Sequence, residues 1–363
     1  MHLLAIPTLI ALSLSLTACV SVPSSESNSV QNSTPASTPT QLAKNNQTTT
    51  VHRLVHAYSR ILVDPHNKQV INLDTLVSQL KESDVVFIGE FHGNQASHLL
   101  EMALMAKLYQ QRPQQVLTLE MFNRDQQAIL NRYLDGEIGE KYLINEAHTW
   151  PNYAGSYRPM IEFAKEHFIP VIAANASGDI VRCIGQNGQT YIDLLPAQEK
   201  RWIAERPFIN NADYQQKFYD FLDEVRHVSE KRKQSSYSAQ LARDNTMAES
   251  ILKALQDTPE AQVIHLNGSF HSEEYLGTVA MLKQRRPDLN IAVISPVRVE
   301  NPEDVKWSTE ELALGDYVYF IRPQPTDYVN ADYKRKARMK MFETSDKKSK
   351  QCIQAENTAS PGP

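Results

Sequence analysis

The sequence predicts an α/β fold in which helices flank a parallel sheet, with a small helical lobe inserted in it. Short apolar runs rich in Val and Ile recur along the chain, and such runs suit strands buried on both faces. Helical spacing of apolar residues follows several of these runs, and this alternation favours a parallel sheet with right-handed crossovers. The predicted strands are Val85–Ile88, Val116–Leu119, Pro170–Ala174, Val263–Leu266 and Ile291–Ile294, with Tyr317–Ile321 as a sixth candidate.

Composition sets broad limits on the class of protein. The chain has 363 residues, of which 41% are hydrophobic and 22% are charged, as is ordinary for a globular protein. Its formal net charge of −5 gives no support to a nucleic-acid partner. Three cysteines are too few for a disulfide framework.

The first residues form a targeting signal. Leu3–Leu16 is an apolar run of signal-peptide length, too short for a transmembrane helix. It ends in LTAC at residues 16–19, which resembles a bacterial lipobox, so residues 1–18 are predicted to be a signal peptide and Cys19 a lipidated N-terminus. An ordinary secretory cleavage site is the alternative. Val20 follows where an Asp would indicate inner-membrane retention, so we expect lipid anchoring in the cell envelope, at the outer membrane.

The remaining chain divides into three parts. Residues 19–50 are Ser, Thr, Asn, Gln and Pro with few apolar residues, and they are predicted to be a disordered tether. Residues 51–325 carry the α/β pattern, with a helical lobe at about residues 196–236, where aromatic and charged residues alternate without a strand-like run. Residues 326–363 are polar and basic, which predicts a disordered tail. A role of this tail at anionic lipid surfaces is the alternative. Cys183 and Cys352 are predicted either to form a bridge or to be free thiols.

Other elements follow from local signals. Asp64-Pro65-His66-Asn67 is a turn-forming run between two short β-like segments, which predicts a hairpin. Asn72 is the expected N-cap of a short amphipathic helix. The predicted helical segments are 73–80, 95–111, 125–135, 137–147, 160–167, 240–255 and 276–284, and an irregular aromatic loop is predicted for Trp150–Pro159.

Polar side chains follow four of the predicted strands. Glu90 and His92 come directly after the first buried strand, and Glu120, Asn175 and His271 follow three others. Because parallel strands end at the same edge of a sheet, where such folds hold ligands, we expect these groups to converge. A set of unrelated capped turns is the alternative interpretation.

Three chemistries fit these groups. Imidazoles and carboxylates bind divalent metals and lower the pKa of bound water. Without a metal, His92 with Glu90 or Glu120 would form a general base. The third option is ligand binding alone. The sequence contains neither HExxH nor GxSxG, so neither a zincin nor an α/β-hydrolase nucleophile is indicated. His98 lies beside the apolar stripe of the following helix, where it either faces the site or is buried.

Several motifs in order resemble one bacterial family. They are GEFHGNQASH, LEMFNRDQQAIL, the aromatic loop WPNYAGSYRP, LPAQ, AQLARDNTMAESIL and NGSFH. Together they resemble the ChaN family of haem-binding, iron-regulated lipoproteins, within the Tiki/TraB and erythromycin-esterase-like superfamily. The resemblance extends from about Ile61 to Val299, and the lipobox agrees with it.

The resemblance implies haem as cofactor, held at the sheet edge as a cofacial pair between two protomers, with tyrosine as axial ligand. Tyr157 is the preferred ligand of the haem iron and Tyr153 the alternative, because a phenolate favours ferric iron. Arg158, or a histidine from the second protomer, is expected to pair with haem propionates. The other expected cofactor-binding residues are His92, His98, Glu90, Glu120 and His271.

The expected function is haem binding by a membrane-anchored lipoprotein in iron uptake, with a second protomer and an outer-membrane haem receptor as further partners. A hydrolase is the alternative, since relatives in the superfamily are metallopeptidases or esterases. That alternative gives catalytic roles to Glu90, His92, Glu120 and His271. An adaptor with a vestigial site is the third option. The aromatic loop favours haem, because porphyrin faces need apolar walls.

Overall fold

The computed structural model describes residues 51–225 and 228–352. The predicted signal peptide, lipidated Cys19 and tether lie outside the described residues, as do residues 353–363 of the tail. Among the described residues, no helix is both long enough and apolar enough to cross a membrane.

One eight-stranded sheet organises the chain, in the order β2-β1-β8-β7-β3-β6-β4-β5. The strands are β1 (Arg60–Asp64), β2 (Gln69–Ile71), β3 (Val85–Glu90), β4 (Gln115–Asn123), β5 (Val171–Asn175), β6 (Gln262–Gly268), β7 (Ile291–Arg298) and β8 (Tyr317–Ile321). Strands β3 to β8 pair in parallel, which confirms the predicted parallel sheet. The predicted hairpin, β1 and β2, adds two antiparallel strands at one edge.

Helices cover both faces of the sheet. They are α1 (Leu73–Leu80), α2 (Gln95–Gln111), α3 (Gln127–Leu134), α4 (Glu140–Glu146), α5 (Tyr153–Ser156), α6 (Arg158–Glu166), α7 (Gly178–Asn187), α8 (Ala197–Lys200), α9 (Ala212–Val225), α10 (Glu230–Asp257), α11 (Gly277–Arg285), α12 (Thr309–Leu312) and α13 (Ala331–Ser349). Leu100 and Leu104 of α2 pack with Ile88 in one apolar cluster, whereas Ile251 of α10 packs with Phe87 in another. The alternation of side chains along β3 therefore supplies both cores.

Two asparagine caps fix the helices next to β3. The side chain of Asn72 accepts the backbone N–H of Thr75 at 2.8 Å, so the predicted cap of α1 is confirmed. Asn94 caps α2 by accepting the N–H groups of Ala96 and Ser97. The turn between β3 and α2 is therefore only four residues long, and it holds His92 directly above the end of the strand.

Several predicted boundaries were wrong. The aromatic loop is not irregular, because α5 and the start of α6 form within it. Helix α10 begins at Glu230, inside the stretch that was predicted to be the lobe, rather than near Gln240. Ser229 accepts the N–H of Arg232 and provides the cap that starts the helix there. Helix α7, which carries Cys183, was not predicted at all.

The prediction of a disordered tail was wrong for residues 331–349, which form α13. Lys, Arg, Met and Ala are good helix formers, so a charged segment with this composition does not need a large apolar face to become helical. The disulfide between Cys183 and Cys352 ties the end of this segment to α7, so the bridge, rather than two free thiols, is present.

Candidate functional site

The carboxyl ends of β3, β6, β4 and β5 lie side by side, and they bring together the polar groups that the sequence singled out. Nδ1 of His92 lies 2.5 Å from Glu90 Oε1, and Nε2 of His271 lies 3.4 Å from Glu120 Oε1. Asn175 donates to the backbone oxygen of Glu120 at 3.0 Å. The predicted convergence at one sheet edge is present in the structure.

These groups form two clusters that differ in burial. The inner cluster consists of Glu90, His98, Glu101 and Tyr157, whose side chains are all buried. The outer cluster consists of His92, Glu120, Asp244 and His271, and the side chain of His92 is 41% exposed. Glu90 joins the two clusters, because it contacts His92 as well as His98.

In the inner cluster, Glu90 receives several hydrogen bonds. The hydroxyl of Tyr157 donates to Glu90 Oε1 at 2.7 Å, and Nδ1 of His98 lies 3.2 Å from Oε2. Burial alone would raise the pKa of Glu90, but hydrogen bonds from His92, His98 and Glu101 outweigh burial and lower it. Glu90 is therefore an anion in a dry environment.

Glu101 has the opposite protonation state. Its carboxyl is fully buried, and burial together with the negative charge of Glu90 raises its pKa well above the ordinary value. A neutral Glu101 has a proton to donate, and neither Glu101 Oε1 nor Glu90 Oε2 has another hydrogen-bond partner among the described residues. Glu101 therefore holds the one proton of this buried pair, and Glu90 stays ionised.

His98 contacts both carboxyl groups through Nδ1, and this contact restricts metal binding by the inner cluster. Burial lowers its pKa, but hydrogen bonds to Glu101 and Glu90 outweigh burial and raise it; both bonds are made by Nδ1 and need a proton only there. The N–H of Gly93 points at Nε2 of His98 at 3.1 Å and opposes a second proton there. The backbone contact decides the tautomer in this geometry, so Nδ1 carries the proton. Donor atoms of Glu90, His98 and Glu101 lie within 4.8 Å of one another, as in a metal site. A metal on Nδ1 would nevertheless remove the only proton of the ring, because Nε2 already accepts the N–H of Gly93.

In the outer cluster, Glu120 is the point where both imidazoles meet. The N–H of Gly268 donates to Glu120 Oε2 at 2.6 Å, and Nε2 of His92 lies 4.0 Å from Oε1. Burial would raise the pKa of Glu120, but the positive charge of His271 outweighs burial and lowers the pKa to about 2. Glu120 therefore stays ionised at neutral pH.

Asp244, which the residue pattern alone did not identify, holds His271 from the opposite side. Its Oδ1 lies 2.7 Å from Nδ1 of His271 and also accepts from Thr278 at 2.8 Å. The hydroxyl of Tyr214 donates to Oδ2 at 2.8 Å. Burial lowers the pKa of His271, but Asp244 and Glu120 outweigh it and raise the pKa to about 10. The only sequence signal was an Asp within the apolar stripe of α10, inside one of the family motifs.

Aromatic rings and a glycine border His92. The ring of Trp150 meets the imidazole edge to face at a centroid distance of 4.8 Å, and the guanidinium of Arg298 covers the nearby ring of Phe91 at 3.7 Å. A Cβ at Gly268 would lie 2.8 Å from Nε2 of His92, so only glycine leaves the imidazole in this position. Burial lowers the pKa of His92, but the hydrogen bond to Glu90 outweighs burial and raises it.

The predicted tyrosine ligands do not face the opening beside His92. Tyr157 is 1% exposed and its hydroxyl is bound to Glu90, which, together with burial, raises its pKa. Tyr153 is 2% exposed, packs edge-on against Phe122, and also has a raised pKa because of burial. Arg158 binds Glu140 through both of its carboxylate oxygens. His98 lies in the inner cluster. The role of these four residues at a cofactor stays a prediction, and for the three buried side chains it would require a change of conformation.

A separate groove of about 1350 Å³ lies along the outer edge of β5. Phe168, Ile172 and Trp202 contribute to its lining, but none of the predicted site residues does. Its volume alone does not make it the chemical site, because the converging ionisable groups lie elsewhere.

Comparison with known proteins gives the family. A family model described as "Haem-binding uptake, Tiki superfamily, ChaN" matches residues 76–282, which is more than half of the chain. The chain belongs to this family. The match contains the strand ends that carry both clusters, and the family assignment supports haem as the ligand class. No curated protein is significantly similar to the chain in sequence.

Two solved structures illustrate the fold of this ChaN-family chain. "Cofacial heme binding to ChaN of Campylobacter jejuni" has a TM-score of 0.54 and 17% identity, covering 73% of this chain and 97% of that one. At this identity the similarity shows a shared fold. An erythromycin esterase mutant, EreC in its open conformation, has a TM-score of 0.41 and 12% identity, covering 78% of this chain and 87% of that one. That TM-score is too low to support an argument about function.

Proposed function

We propose that this chain binds haem at the carboxyl edge of its sheet, with His92 as the iron ligand. The observation that carries the proposal is the exposure of His92, which is 41% exposed while Nδ1 is held by Glu90. A carboxylate that fixes one ring nitrogen orients the other toward iron and makes it more basic. When bound, haem would supply a ferric iron that takes an imidazole ligand.

The residues around His92 suit a porphyrin. Trp150 provides an aromatic ring beside the imidazole, and Phe91, the residue before His92, lies under the guanidinium of Arg298, which supplies a positive charge for a propionate. Gly268 gives the imidazole itself room at the strand end. Tyr157 would have to leave Glu90 and lose a proton beside that anion, so we assign it the role of holding Glu90.

The test is a haemin titration followed by absorbance. The protein begins at Val20, so it lacks the predicted leader and the lipidated cysteine. It retains every apolar cluster that the structure describes, since these clusters consist of residues between Leu54 and Cys352. The wild type is expected to show a saturable Soret shift. His92→Gln, whose amide still reaches Glu90, is expected to lose that shift, whereas Tyr157→Phe is expected to keep it.

His66→Gln is the matched control, because His66 is an exposed histidine in the hairpin turn. It should titrate like the wild type. Loss of the shift in Tyr157→Phe alone would assign the iron to Tyr157 and overturn the assignment to His92. A wild-type protein without a saturable shift would overturn haem binding by this chain.

The cellular role is proposed from the sequence together with the family. We propose that Cys19 is lipidated and anchors the chain at the outer membrane, where it serves iron uptake with a haem receptor as partner. Cofacial haem binding in the Campylobacter relative supports a pair of haems between two protomers here as well. Palmitate labelling of wild type and Cys19→Ala tests the anchor, and sedimentation with and without haemin tests the pair.

A hydrolase is the second candidate, and one observation favours it. Nε2 atoms of His92 and His271 both approach Glu120 Oε1, at 4.0 and 3.4 Å. Two imidazoles and a carboxylate are a donor set for a divalent metal or a general base. Ester or peptide turnover that Glu120→Gln abolishes, with folding retained, would support this reading. Absence of turnover across ester and peptide substrates and added Zn²⁺ would count against it.

A further inference from the structure

The last described part of the chain, residues 328–352, differs from the rest in charge. Between residues 331 and 352 it contains eight Lys or Arg residues and three Asp or Glu residues, a net charge of +5 in a chain whose net charge is −5. The basic residues are Lys334, Arg335, Lys336, Arg338, Lys340, Lys347, Lys348 and Lys350. The positive charge is thus concentrated on one helix.

The same part of the chain exposes large apolar side chains. Val329 is 96% exposed, Tyr333 63%, Met339 56% and Met341 60%. Cations attract anionic phospholipid headgroups, and exposed apolar side chains beside them lose contact with water when they enter the headgroup region.

A groove between α13 and α7 combines both properties. It has a volume of about 560 Å³ and is lined by Arg182, Tyr328, Ala337, Lys340, Met341, Thr344 and Lys348. Lys340, Lys348 and Arg182 therefore surround a lining that includes an aromatic ring and a methionine, and the guanidinium of Arg182 also pairs with Asp179 of its own helix. No acidic side chain among the described residues lines this groove.

The disulfide between Cys352 and Cys183 joins this part of the chain covalently to α7. Whatever binds α13 is therefore held against the folded domain rather than on a free tail. Cys352 and Cys183 are both buried, and they pack with Ile180 and Ile184 of α7.

We propose that α13 and its groove bind an anionic phospholipid at a membrane surface, independently of Cys19. The three cations match a phosphate-bearing headgroup, and Met341 and Tyr328 match the start of its acyl chains. Nucleic acid would use the cations, but it would leave Val329, Met339 and Met341 exposed to water. Lipid accounts for both the charge and the apolar side chains.

The experiment measures vesicle binding by the protein that begins at Val20 and carries no lipid. It is expected to sediment with vesicles of phosphatidylcholine mixed with phosphatidylglycerol, and not with phosphatidylcholine alone. Each basic side chain near an anionic surface strengthens binding roughly fivefold, so the triple variant Arg182→Gln, Lys340→Gln, Lys348→Gln should bind on the order of 100-fold more weakly.

The control variant removes the same charge elsewhere, through Lys81→Gln, Lys141→Gln and Lys306→Gln, all at exposed positions. It should bind vesicles nearly as well as the wild type. Equal losses in the two triple variants would overturn the proposal, because only overall charge would then matter. Tight binding of a DNA oligonucleotide, without preference for phosphatidylglycerol, would also overturn it. Circular dichroism of each variant establishes that it is folded.

Discussion

The inner and outer clusters contain similar groups but differ in access to water. Each has two carboxyl groups and at least one imidazole, and they lie at neighbouring strand ends. Every side chain of the inner cluster is buried, whereas His92 of the outer cluster is 41% exposed. In the inner cluster a neutral Glu101 lies beside the Glu90 anion, and Tyr157 donates to Glu90. Similar residue types thus stabilise the fold in one place and are available for chemistry in the other.

This difference in burial explains why we assign the iron to His92 rather than to Tyr157. A group that already has a buried partner must break that contact before it binds anything else, and an unpaired buried carboxylate is costly. His92 keeps its contact with Glu90 while its side chain is partly exposed. The inner cluster is therefore best understood as the support that orients His92.

The largest expected effect comes from removing Glu90. Glu90→Ala leaves Tyr157, His98 and His92 without their acceptor, and breaking such a buried network costs about 3–5 kcal/mol in the free energy of unfolding. Glu120→Ala is expected to cost only about 2 kcal/mol, because Asp244 still pairs with His271 after the change. Chemical denaturation at neutral pH measures both values.

Glu101→Gln is the control for this prediction. A neutral carboxylic acid and an amide have nearly the same shape and both donate a hydrogen bond, so the change should be less than about 1 kcal/mol. A cost for Glu101→Gln as large as that for Glu90→Ala would mean that Glu101 is an anion. Equal costs for Glu90→Ala and Glu120→Ala would remove the distinction between the clusters.

The second effect depends on pH. The pKa of His271 rises from its ordinary value of 6.5 to about 10 in the folded chain. Its contribution is therefore fully present below pH 6.5 and is lost as the pH rises through 10. Glu120, whose pKa falls from 4.5 to about 2, contributes above pH 4.5 and loses its contribution as the pH falls through 2.

Between about pH 6 and about pH 9, the free energy of unfolding should therefore fall by about 3 kcal/mol through His271. Denaturation of wild type and His271→Gln at both values isolates this contribution, since every other group is common to the two proteins. Parallel pH profiles would show that Asp244 and Glu120 do not hold a charged His271.

The sheet could be predicted from the sequence because its strands have local signals. Runs such as Val85–Ile88 are apolar, β-branched and followed by polar residues, and all of these features lie within a few positions of one another. Their parallel direction then placed Glu90, Glu120 and His271 at one edge. The resemblance to family motifs added the haem expectation, and the family match supports it.

The contents of each cluster could not be predicted, because burial depends on contacts that are distant in sequence. Tyr157 reaches Glu90 across 67 positions, and Asp244 reaches His271 across 27. The sequence predicted an irregular aromatic loop, and the resemblance implied a tyrosine ligand within it, whereas α5 and the start of α6 form there and both rings are buried. The prediction of a disordered tail was wrong for a similar reason, since Cys352 at the end of the helix is bonded to Cys183, 169 residues away.

The smallest expected effect on stability is that of Gly268→Ala, which changes the orientation of His92 and leaves the fold intact. Gly268 has φ −58° and ψ 135°, which alanine adopts freely, but its new Cβ would displace the exposed ring of His92. Gly268→Ala should change the free energy of unfolding by less than about 1 kcal/mol. It should weaken haemin binding by about tenfold, because the displaced ring loses the carboxylate that orients it.

Gly155→Ala is the matched control, since nothing lies within 4 Å of its Cβ position, and it should change neither quantity. NMR titration of His92 provides a second measurement that does not depend on haem. The hydrogen bond to Glu90 raises the pKa of His92, so the pKa in Gly268→Ala should fall toward its ordinary value. An unchanged pKa together with unchanged haemin affinity would mean that the inner cluster does not orient His92, and the two clusters would then be independent neighbours.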